Sequence, residues 1–420
     1  HDLKTRFQMT VIEALADRQF LPRYGFPIGL LRLEVLLARK KHEEDADFTA
    51  SQREDFYRLE RDGALALAEY VPGSRLIVGG KMVRSRGLRR TAYDGDTSVG
   101  LRRLLVECSE DHVFTADIGA SPTRCPVDDC DGQIRVTRQL LEVRNGFSTA
   151  MYEPPKRGTS TLTVGPVQRM TVDGLYAADD PLVVNQALGV PGVRARYRED
   201  AEVWAYHSGE HGEGFAVCLH CGHSQSERQP TAEAARKSKG EGEGSELTHD
   251  KLTAHRAERC AHGATVWRQQ HLAARVTTDV LLLDFSQILP ALPLGTDQRA
   301  LLHTLGHALR LAGAKLLELD PRELGSLVVY QVGPVIFDDV PGGAGHVLEL
   351  LRRGEEWWDE TLRVLGRYDD KDRRDEHDQR CTTACLDCLL TFDIQPALQA
   401  GLIKRKDTLQ ALAVLDRQRR

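Results

Sequence analysis

The chain has 420 residues, of which 28% are charged, and its formal net charge is −6 at pH 7. This length suffices for two or three domains that each bury a core. The charge balance argues against a uniformly basic nucleic-acid-binding protein, although it leaves room for a local basic patch. No apolar run approaches the roughly 18 residues of a membrane-spanning helix, so we expect a soluble, cytoplasmic protein with no membrane partner. Because the chain begins at His1 instead of an initiator Met, we expect it to be a piece of a longer polypeptide or a processed form.

The first half of the sequence predicts short helices followed by strands. Residues 1–20 and 53–70 place apolar side chains at helical spacing. Two apolar arms on either side of Gly79-Gly80 predict a β-hairpin. The segments with a strand-like pattern further along, which predict an antiparallel sheet, are 161–164, 182–184, 202–206 and 215–217.

The second half predicts an insertion followed by a mixed α/β region. Residues 224–250 are rich in Ser, Gly, Glu and Lys, which predicts a flexible insertion. Buried strands are predicted at 276–285 and 326–332, with a long helix over 296–314 between them. The remainder is predicted to be largely helical, with a charged loop at 369–380.

Nine cysteines fall into three groups, each with a histidine close enough to complete four ligands. Their odd number and the reducing setting argue against disulfides. Thiolate and imidazole are the donors that closed structural zinc sites prefer, so we predict up to three structural zinc ions. The predicted ligands are Cys108, His112, Cys125 and Cys130 in the first group, Cys218, Cys221, His255 and Cys260 in the second, and His377, Cys381, Cys385 and Cys388 in the third.

Some alternatives stay open for these sites. Three closely spaced cysteines also suit an iron–sulfur cluster, and the third group has that spacing. The first group departs from the commonest Cys-x2-Cys spacing, so buried or surface thiols are its alternative. The rival histidines are His220, His223 and His262 for the second group, and His303, His307 and His346 for the third.

These patterns together predict an α+β, multi-domain chain. Small zinc-ribbon-like modules and antiparallel strands are expected beside a C-terminal mixed α/β domain with a zinc-stapled helical end. The predicted domains are a helical and hairpin region at 1–95, a first zinc-ribbon-like module at 96–150, a β-rich domain with the second zinc site at 151–290, and a C-terminal zinc-binding domain at 291–420.

An arginine-rich segment extends from the predicted hairpin toward the first cysteine group. Clustered arginines with few nearby acids are typical of a surface that contacts DNA phosphates. A solvated arginine-rich face, or docking on a protein partner, is the alternative. The predicted DNA-contacting residues are Arg84, Arg86, Arg89, Arg90, Arg102 and Arg103.

Asp338 and Asp339 precede a glycine-rich turn at 341–345. Backbone amides in such a turn could meet a phosphate, but the turn lacks the Lys-Ser/Thr ending of a P-loop, so the chain alone is not expected to hydrolyse ATP. A magnesium-dependent nuclease that uses the two aspartates is an alternative function. Adjacent strand residues point to opposite faces, which makes them a poor pair of ligands for one ion.

Asp338–His346 together with Cys381–Leu390 resemble the C-terminal zinc-binding domain of superfamily-two DEAD/DEAH-type helicases, as in the MrfA type. These segments carry Asp-x-x-Pro-Gly-Gly-Ala-Gly and Cys-x-x-Cys-Leu. Residues 21–27 and 69–73 look like the region that precedes this domain in longer members, among them DrmB-like components of DISARM anti-phage defence.

The resemblance implies a zinc-binding, DNA-associated accessory module for phage defence or DNA repair. It would act with a helicase motor, either fused to this chain or present as a separate subunit. Such domains usually place a fourth cysteine in the third group. This sequence has three cysteines there, so His377 is the predicted replacement.

Overall fold

The computed structural model describes most of the chain after residue 58, together with one short segment before it. Predictions for residues 1–20, for 161–164 and for most of the 224–250 insertion lie outside the described residues. No helix in the described part is long and apolar enough to cross a membrane. The described residues are 30–35, 59–78, 81–89, 99–149, 169–173, 175, 182–228, 266–391 and 393–419.

The described residues contain a long run of strands followed by a mainly helical C-terminal part, which confirms the α+β prediction. The strands are β1 Leu31–Glu34, β2 Glu60–Arg61, β3 Arg75–Val78, β4 Lys81–Leu88, β5 Leu101–Cys108, β6 Val113–Asp117, β7 Ile134–Glu142, β8 Phe147–Thr149, β9 Arg169–Asp173, β10 Leu182–Asn185, β11 Arg194–His207, β12 Phe215–Cys218, β13 Ser224–Ser226, β14 Val266–Asp284, β15 Leu324–Val329 and β16 Gly333–Asp338. The α-helices are α1 Gly63–Glu69, α2 Gln298–Leu316, α3 His346–Arg352, α4 Gly354–Val364, α5 Lys371–Arg380, α6 Gln395–Gln399 and α7 Arg405–Arg419.

A smaller sheet has the strand order β2-β1-β8-β4-β3. The predicted hairpin forms β3 and β4, which pair antiparallel across Gly79-Gly80. The predicted helix over 53–70 is wrong at Glu60–Arg61, which pair with β1 as a strand. The helix begins only at Gly63, because the Asp62 carboxylate accepts a hydrogen bond from the Leu65 amide and caps it.

The larger sheet has eleven strands, and β14 is its central member. This strand pairs antiparallel with β11, β12 and β16 and parallel with β7. The prediction at 276–285 captures only its apolar second half. The first half carries the polar run Arg268-Gln269-Gln270-His271, which hides the strand pattern. Strands β5 and β7, which belong to the predicted module at 96–150, are part of this sheet. The predicted domain boundaries stay a prediction.

Six strands of the larger sheet, β9-β11-β14-β7-β5-β6, curve until β9 and β6 meet. The Thr171 hydroxyl donates to the Val113 carbonyl at this closure. The Trp204 ring lies inside, with the guanidinium carbons of Arg103 and Arg275 at 5.6 and 5.5 Å from its centre. The buried side chains packed here are Leu105, Leu140, Trp204, Tyr206 and Ala273.

The C-terminal region packs helices against one end of β14. Helix α2 begins after Asp297, whose carboxylate accepts from the Ala300 amide, so the predicted helix over 296–314 is confirmed. Trp357 of α4 is fully buried and its indole donates to the Leu309 carbonyl at 2.8 Å. These contacts fix the scaffold that carries the third cysteine group.

Two local predictions are corrected by the structure. The predicted charged loop at 369–380 contains helix α5, capped by Asp370. The residues of this helix are polar on every side, so the sequence has no apolar stripe that would predict a helix. The predicted insertion at 224–250 begins too early, because Ser224–Ser226 form β13 against β12.

Candidate metal centres

The first tetrad brings together Cys108, His112, Cys125 and Cys130, as the sequence predicted. The sulfurs of Cys108 and Cys130 lie 3.9 Å apart, and His112 Nδ1 lies 3.2 Å from the Cys130 sulfur and 3.6 Å from the Cys125 sulfur. Tetrahedral zinc with a Zn–S bond of about 2.3 Å and a Zn–N bond of about 2.0 Å places two sulfurs about 3.8 Å apart and a sulfur and a nitrogen about 3.5 Å apart. The tetrad therefore fits a structural zinc ion.

The turn between β5 and β6 and the loop between β6 and β7 position these donors. The Cys108 amide donates to the His112 carbonyl at 3.1 Å, and Asp111 between them adopts a positive φ of 61°. On the other side, the Gly132 amide points at the Cys130 sulfur at 3.4 Å. A Cβ at Gly132 would lie 3.1 Å from the Cys108 sulfur, so glycine gives the backbone this close approach.

The imidazole of His112 is oriented by a bond on its far side. Its Nε2 lies 2.8 Å from the backbone carbonyl oxygen of Tyr330. Since a carbonyl only accepts, Nε2 carries the hydrogen and Nδ1 is left as the free lone pair that faces the sulfurs. Tyr330 sits at the end of β15 in the C-terminal region, so the first tetrad is tied to distant sequence.

The third tetrad brings together His377, Cys381, Cys385 and Cys388. The sulfur of Cys388 lies 3.7 Å from that of Cys381 and 3.5 Å from that of Cys385. His377 Nε2 lies 3.4 Å from the Cys385 sulfur. These separations also match tetrahedral zinc, and the structure places the histidine of α5 where the resemblance led us to expect a fourth cysteine.

Burial sets the protonation of these donors in the metal-free protein. Burial, more than the neighbouring thiols, raises the pKa of Cys125 and of Cys388 to about 12. Burial, and then the charge of Arg405, lowers the pKa of His377, so its imidazole is neutral as a ligand must be. Zinc binding therefore has to displace thiol protons.

The second group is half described. Cys218 ends β12 and is buried, whereas Cys221 lies exposed in the turn to β13. The His223 amide points at the Cys221 sulfur at 3.4 Å, as a zinc knuckle requires. His255 and Cys260 lie outside the described residues, so a second zinc site stays a prediction.

The three rival histidines of the third tetrad are used elsewhere. His303 Nε2 lies 2.9 Å from the Tyr330 hydroxyl, and His307 Nε2 lies 2.8 Å from the Leu389 carbonyl. His346 Nε2 faces Glu323 at 3.7 Å. Burial lowers the pKa of both His303 and His307 to about 4, so both are neutral structural side chains.

The predicted DNA-contacting arginines occupy two separate strands. On β4, Arg84 and Arg86 are half-buried, and Arg89 just beyond pairs with Glu34 at 3.3 Å. Arg90 lies outside the described residues. Arg84, Arg86 and Arg89 together form the basic edge of β4, whose pairing with β8 is interrupted by a β-bulge between Ser85 and Gly87.

The two arginines of β5 point to opposite faces of the sheet. Arg102 donates to Gln139 at 2.8 Å, and its guanidinium carbon lies 4.6 Å from the centre of the Trp267 ring. Arg103 pairs with Asp117 at 3.4 Å. Both side chains therefore take part in packing, in addition to any contact with DNA.

The carboxylate of Asp338 is fully buried and caps helix α3. Its Oδ2 accepts from the amides of Ala344 and His346 at 2.7 and 3.1 Å, and its Oδ1 accepts from the Val347 amide at 3.0 Å. The amides of the glycine-rich turn thus hold an internal carboxylate instead of a phosphate. Asp339 is exposed.

Sequence reasoning missed the supports behind the tetrads. Arg405 contacts the backbone of Cys381, and Tyr330 orients His112. Both residues are distant in sequence from the metal ligands that they contact. No local spacing signal marks either residue.

Comparison with known proteins identifies the C-terminal part of the chain. Residues 305–389 match the family model of the MrfA Zn-binding domain. The match spans the Asp338 turn and the whole third tetrad, and it confirms the resemblance predicted from those two segments.

One curated relative aligns along nearly the whole chain. Druantia protein DruE of Escherichia coli (strain UMEA 4076-1) is 23% identical over 423 residues, which covers 92% of this chain and 21% of the relative. The chain thus spans about a fifth of that protein's length.

Two solved structures are also similar. The DUF1998 helicase MrfA bound to DNA aligns with a TM-score of 0.35 and 9% identity, over 93% of this chain and 34% of that one. The DUF1998 helicase MrfA gives a TM-score of 0.30 and 8% identity, over 88% and 34% of the two chains.

Proposed function

We propose that this chain, which carries an MrfA Zn-binding domain over residues 305–389, is a zinc-stapled accessory module that acts on DNA together with a superfamily-two helicase motor. Phage defence or DNA repair is the proposed setting, and a reducing cytoplasm is the proposed location. In this proposal zinc fixes the shape of the module and performs no chemistry.

The closed form of the tetrads is the observation that carries this proposal. Each of the two described tetrads offers four protein donors within 4.8 Å of one another. A catalytic zinc site keeps a position open for water or substrate, whereas a structural site fills all four. The tetrads are therefore suited to stapling and leave no coordination position for a reaction.

The DNA contact is proposed for the basic edge of β4. Arg84 and Arg86 lie on β4, between β8 and β3 in the smaller sheet, and Arg89 directly follows the strand. Arg102 and Arg103, by contrast, lie on opposite faces of β5 and pack on Trp267 and Trp204. The β4 arginines are also half-buried, and Arg89 pairs with Glu34, so thermal unfolding of the variant is measured beside its DNA affinity.

The nuclease alternative gains no support from the geometry. Both oxygens of Asp338 accept backbone amides in a buried setting, so this carboxylate is occupied as a helix cap. Asp339 has exposed surface, but burial of its carboxyl raises its pKa to about 6, and it would be a single carboxylate ligand. We expect the purified chain with magnesium to leave linear and circular DNA intact.

A salt titration of DNA binding tests the proposal. The full chain carrying Arg86→Gln, Arg89→Gln and Arg90→Gln would be compared with wild type by fluorescence anisotropy, on two duplexes of unrelated sequence. We expect weaker binding to both, and a log–log salt slope shallower by about 0.9 for each phosphate that the variant no longer neutralises.

A matched variant controls for the removal of three charges. Arg322, Arg352 and Arg380 have side chains 89%, 67% and 64% exposed in the C-terminal region. Changing these three to Gln should leave the slope close to wild type. Equal effects of the two triple variants, or an unchanged slope in the first, would overturn DNA contact by the β4 edge.

A pull-down tests the helicase partner. The tagged chain would be expressed in its native host, and proteins that co-purify would be identified by mass spectrometry. We expect one ATPase with superfamily-two motifs, or the same motifs in a longer form of this polypeptide. Recovery of neither would overturn the accessory role.

A further inference from the structure

A buried arginine lies behind the third tetrad. Arg405 begins helix α7, and none of its surface is exposed. Burying a guanidinium is costly unless charges and hydrogen bonds compensate it. Its position therefore calls for a specific role.

Its contacts converge on the backbone that carries the tetrad. One amino group donates to the Leu365 carbonyl at 2.7 Å. The other donates to the Asp378 carboxylate at 2.6 Å and to the Cys381 carbonyl. Cys381 is itself a predicted zinc ligand, and Asp378 directly follows another, His377.

The chain also makes room for this guanidinium. Gly366 has a positive φ of 100°. A Cβ there would lie 2.5 Å from an Arg405 amino nitrogen and 3.0 Å from His377 Nδ1. Glycine at this position lets the backbone close over both side chains at once.

The charge of the filled site gives Arg405 an electrostatic role. Three thiolates and one neutral imidazole around Zn²⁺ carry a net charge of −1. The Asp378 carboxylate, whose side chain is 26% exposed, adds a second negative charge nearby. Arg405 is the fully buried cation in contact with this group.

We propose that Arg405 is a positioning residue for the third zinc site. Its guanidinium fixes the C-terminal end of helix α5 through Asp378 and Cys381. It also offsets the negative charge that the thiolates bring when zinc is bound. This inference rests on zinc binding at the third tetrad. Arg405 contacts the ligands and not the metal, and the spacing of the cysteines does not predict such a residue.

Chelator competition on the full chain tests this role. Arg405→Met removes the charge, and Arg405→Lys keeps the charge but lacks the planar fork. We expect Arg405→Met to weaken zinc at one site by about 10- to 100-fold, with Arg405→Lys in between. Arg380→Met is the control, because Arg380 ends helix α5 next to Cys381 but has a side chain 64% exposed.

Two further readouts separate positioning from general packing. Cobalt substituted for zinc reports sulfur coordination by its charge-transfer absorption, and this signal should change for one site in Arg405→Met. The loss of stability should also be larger with zinc bound than in the metal-free protein. If both states lose equally and the cobalt spectrum is unchanged, Arg405 only fills space.

The outcomes distinguish this inference from the zinc assignment itself. Wild-type protein without zinc at the third tetrad would overturn both. Normal wild-type zinc with unchanged affinity in the Arg405 variants would overturn the positioning role alone. If Arg405→Met fails to fold, Asp378→Asn with Arg405→Lys replaces it, and wild-type zinc affinity in both of these would overturn the role.

Discussion

The ring nitrogen Nε2 of His112 donates to the backbone carbonyl of Tyr330, 218 positions away in the sequence, at 2.8 Å. The Tyr330 side chain continues the contact, because its hydroxyl lies 2.9 Å from His303 Nε2 and 3.1 Å from Arg299 Nε on helix α2. The first tetrad and the C-terminal helical layer are thus joined through one residue. Zinc bound by His112 helps to hold β15 in place.

This bond predicts different outcomes for two histidine-to-cysteine changes. His112→Cys should keep zinc, since four thiolates suit the ion, but it removes the bond to Tyr330. We expect the free energy of unfolding to fall by about 1 kcal/mol, because the part-buried Tyr330 carbonyl loses its hydrogen-bond donor. Urea unfolding together with elemental analysis measures both quantities.

His377→Cys is the matched control for that change. Nδ1 of His377 makes no hydrogen bond within the described part of the chain, so a cysteine there breaks no comparable bond. We expect zinc to be retained with a smaller loss of stability. Equal losses in the two variants would show that the Tyr330 bond contributes nothing of its own.

Zinc content is the second prediction. The two described tetrads account for two ions per chain, and the second group adds a third if His255 and Cys260 complete it. Elemental analysis should therefore give between two and three zinc ions. One ion or fewer would refute the assignment, and Cys385→Ser should remove one ion and destabilise the chain.

The third prediction concerns the two adjacent aspartates. Asp338→Asn removes the charge that three amides stabilise. We expect a loss of about 2 kcal/mol or more, because hydrogen bonds to charged groups are strong and their breakage strands buried donors. Asp339→Asn should not lower stability at pH 7, because burial raises the pKa of this carboxyl to about 6 and the amide removes a desolvated charge. Thermal unfolding compares the two variants.

The fourth prediction concerns the pH dependence of stability through Asp279. Burial first, and then the charges of Asp338, Glu199 and Asp200, raise the pKa of Asp279 to about 6. The folded state therefore holds this proton more tightly than the unfolded state. Its stabilising contribution is complete below the ordinary carboxyl pKa and disappears as the pH rises through 6.

Asp279→Asn should remove this pH dependence. Relative to wild type, the variant should gain about 1 kcal/mol of stability between pH 5 and pH 8, after allowance for solvent screening. Asp117→Asn, at a carboxylate whose side chain is 85% exposed, serves as control and should track wild type. A constant difference between Asp279→Asn and wild type across this range would contradict the prediction.

Local signals in the sequence predicted local structure well. The Gly79-Gly80 hairpin, the Asp297-capped helix and the grouping of both tetrads follow from spacing over a few residues. The parallel pairing of β7 with β14 joins residues more than a hundred positions apart, and no short pattern encodes it. The sequence did not predict helix α5 because this helix has no apolar face. Its contacts are made instead through the tetrad ligand His377 and the ion pair between Asp378 and Arg405.

The separation of His112 and Tyr330 by 218 positions in the sequence also has a consequence for synthesis of the chain. The last donor of the first tetrad, Cys130, precedes Tyr330 by 200 residues, so all four donors can leave the ribosome and bind zinc before Tyr330 is made. The carbonyl that orients its imidazole is made much later, at the end of β15. The first tetrad can therefore fill with zinc while its histidine still lacks the carbonyl that orients it.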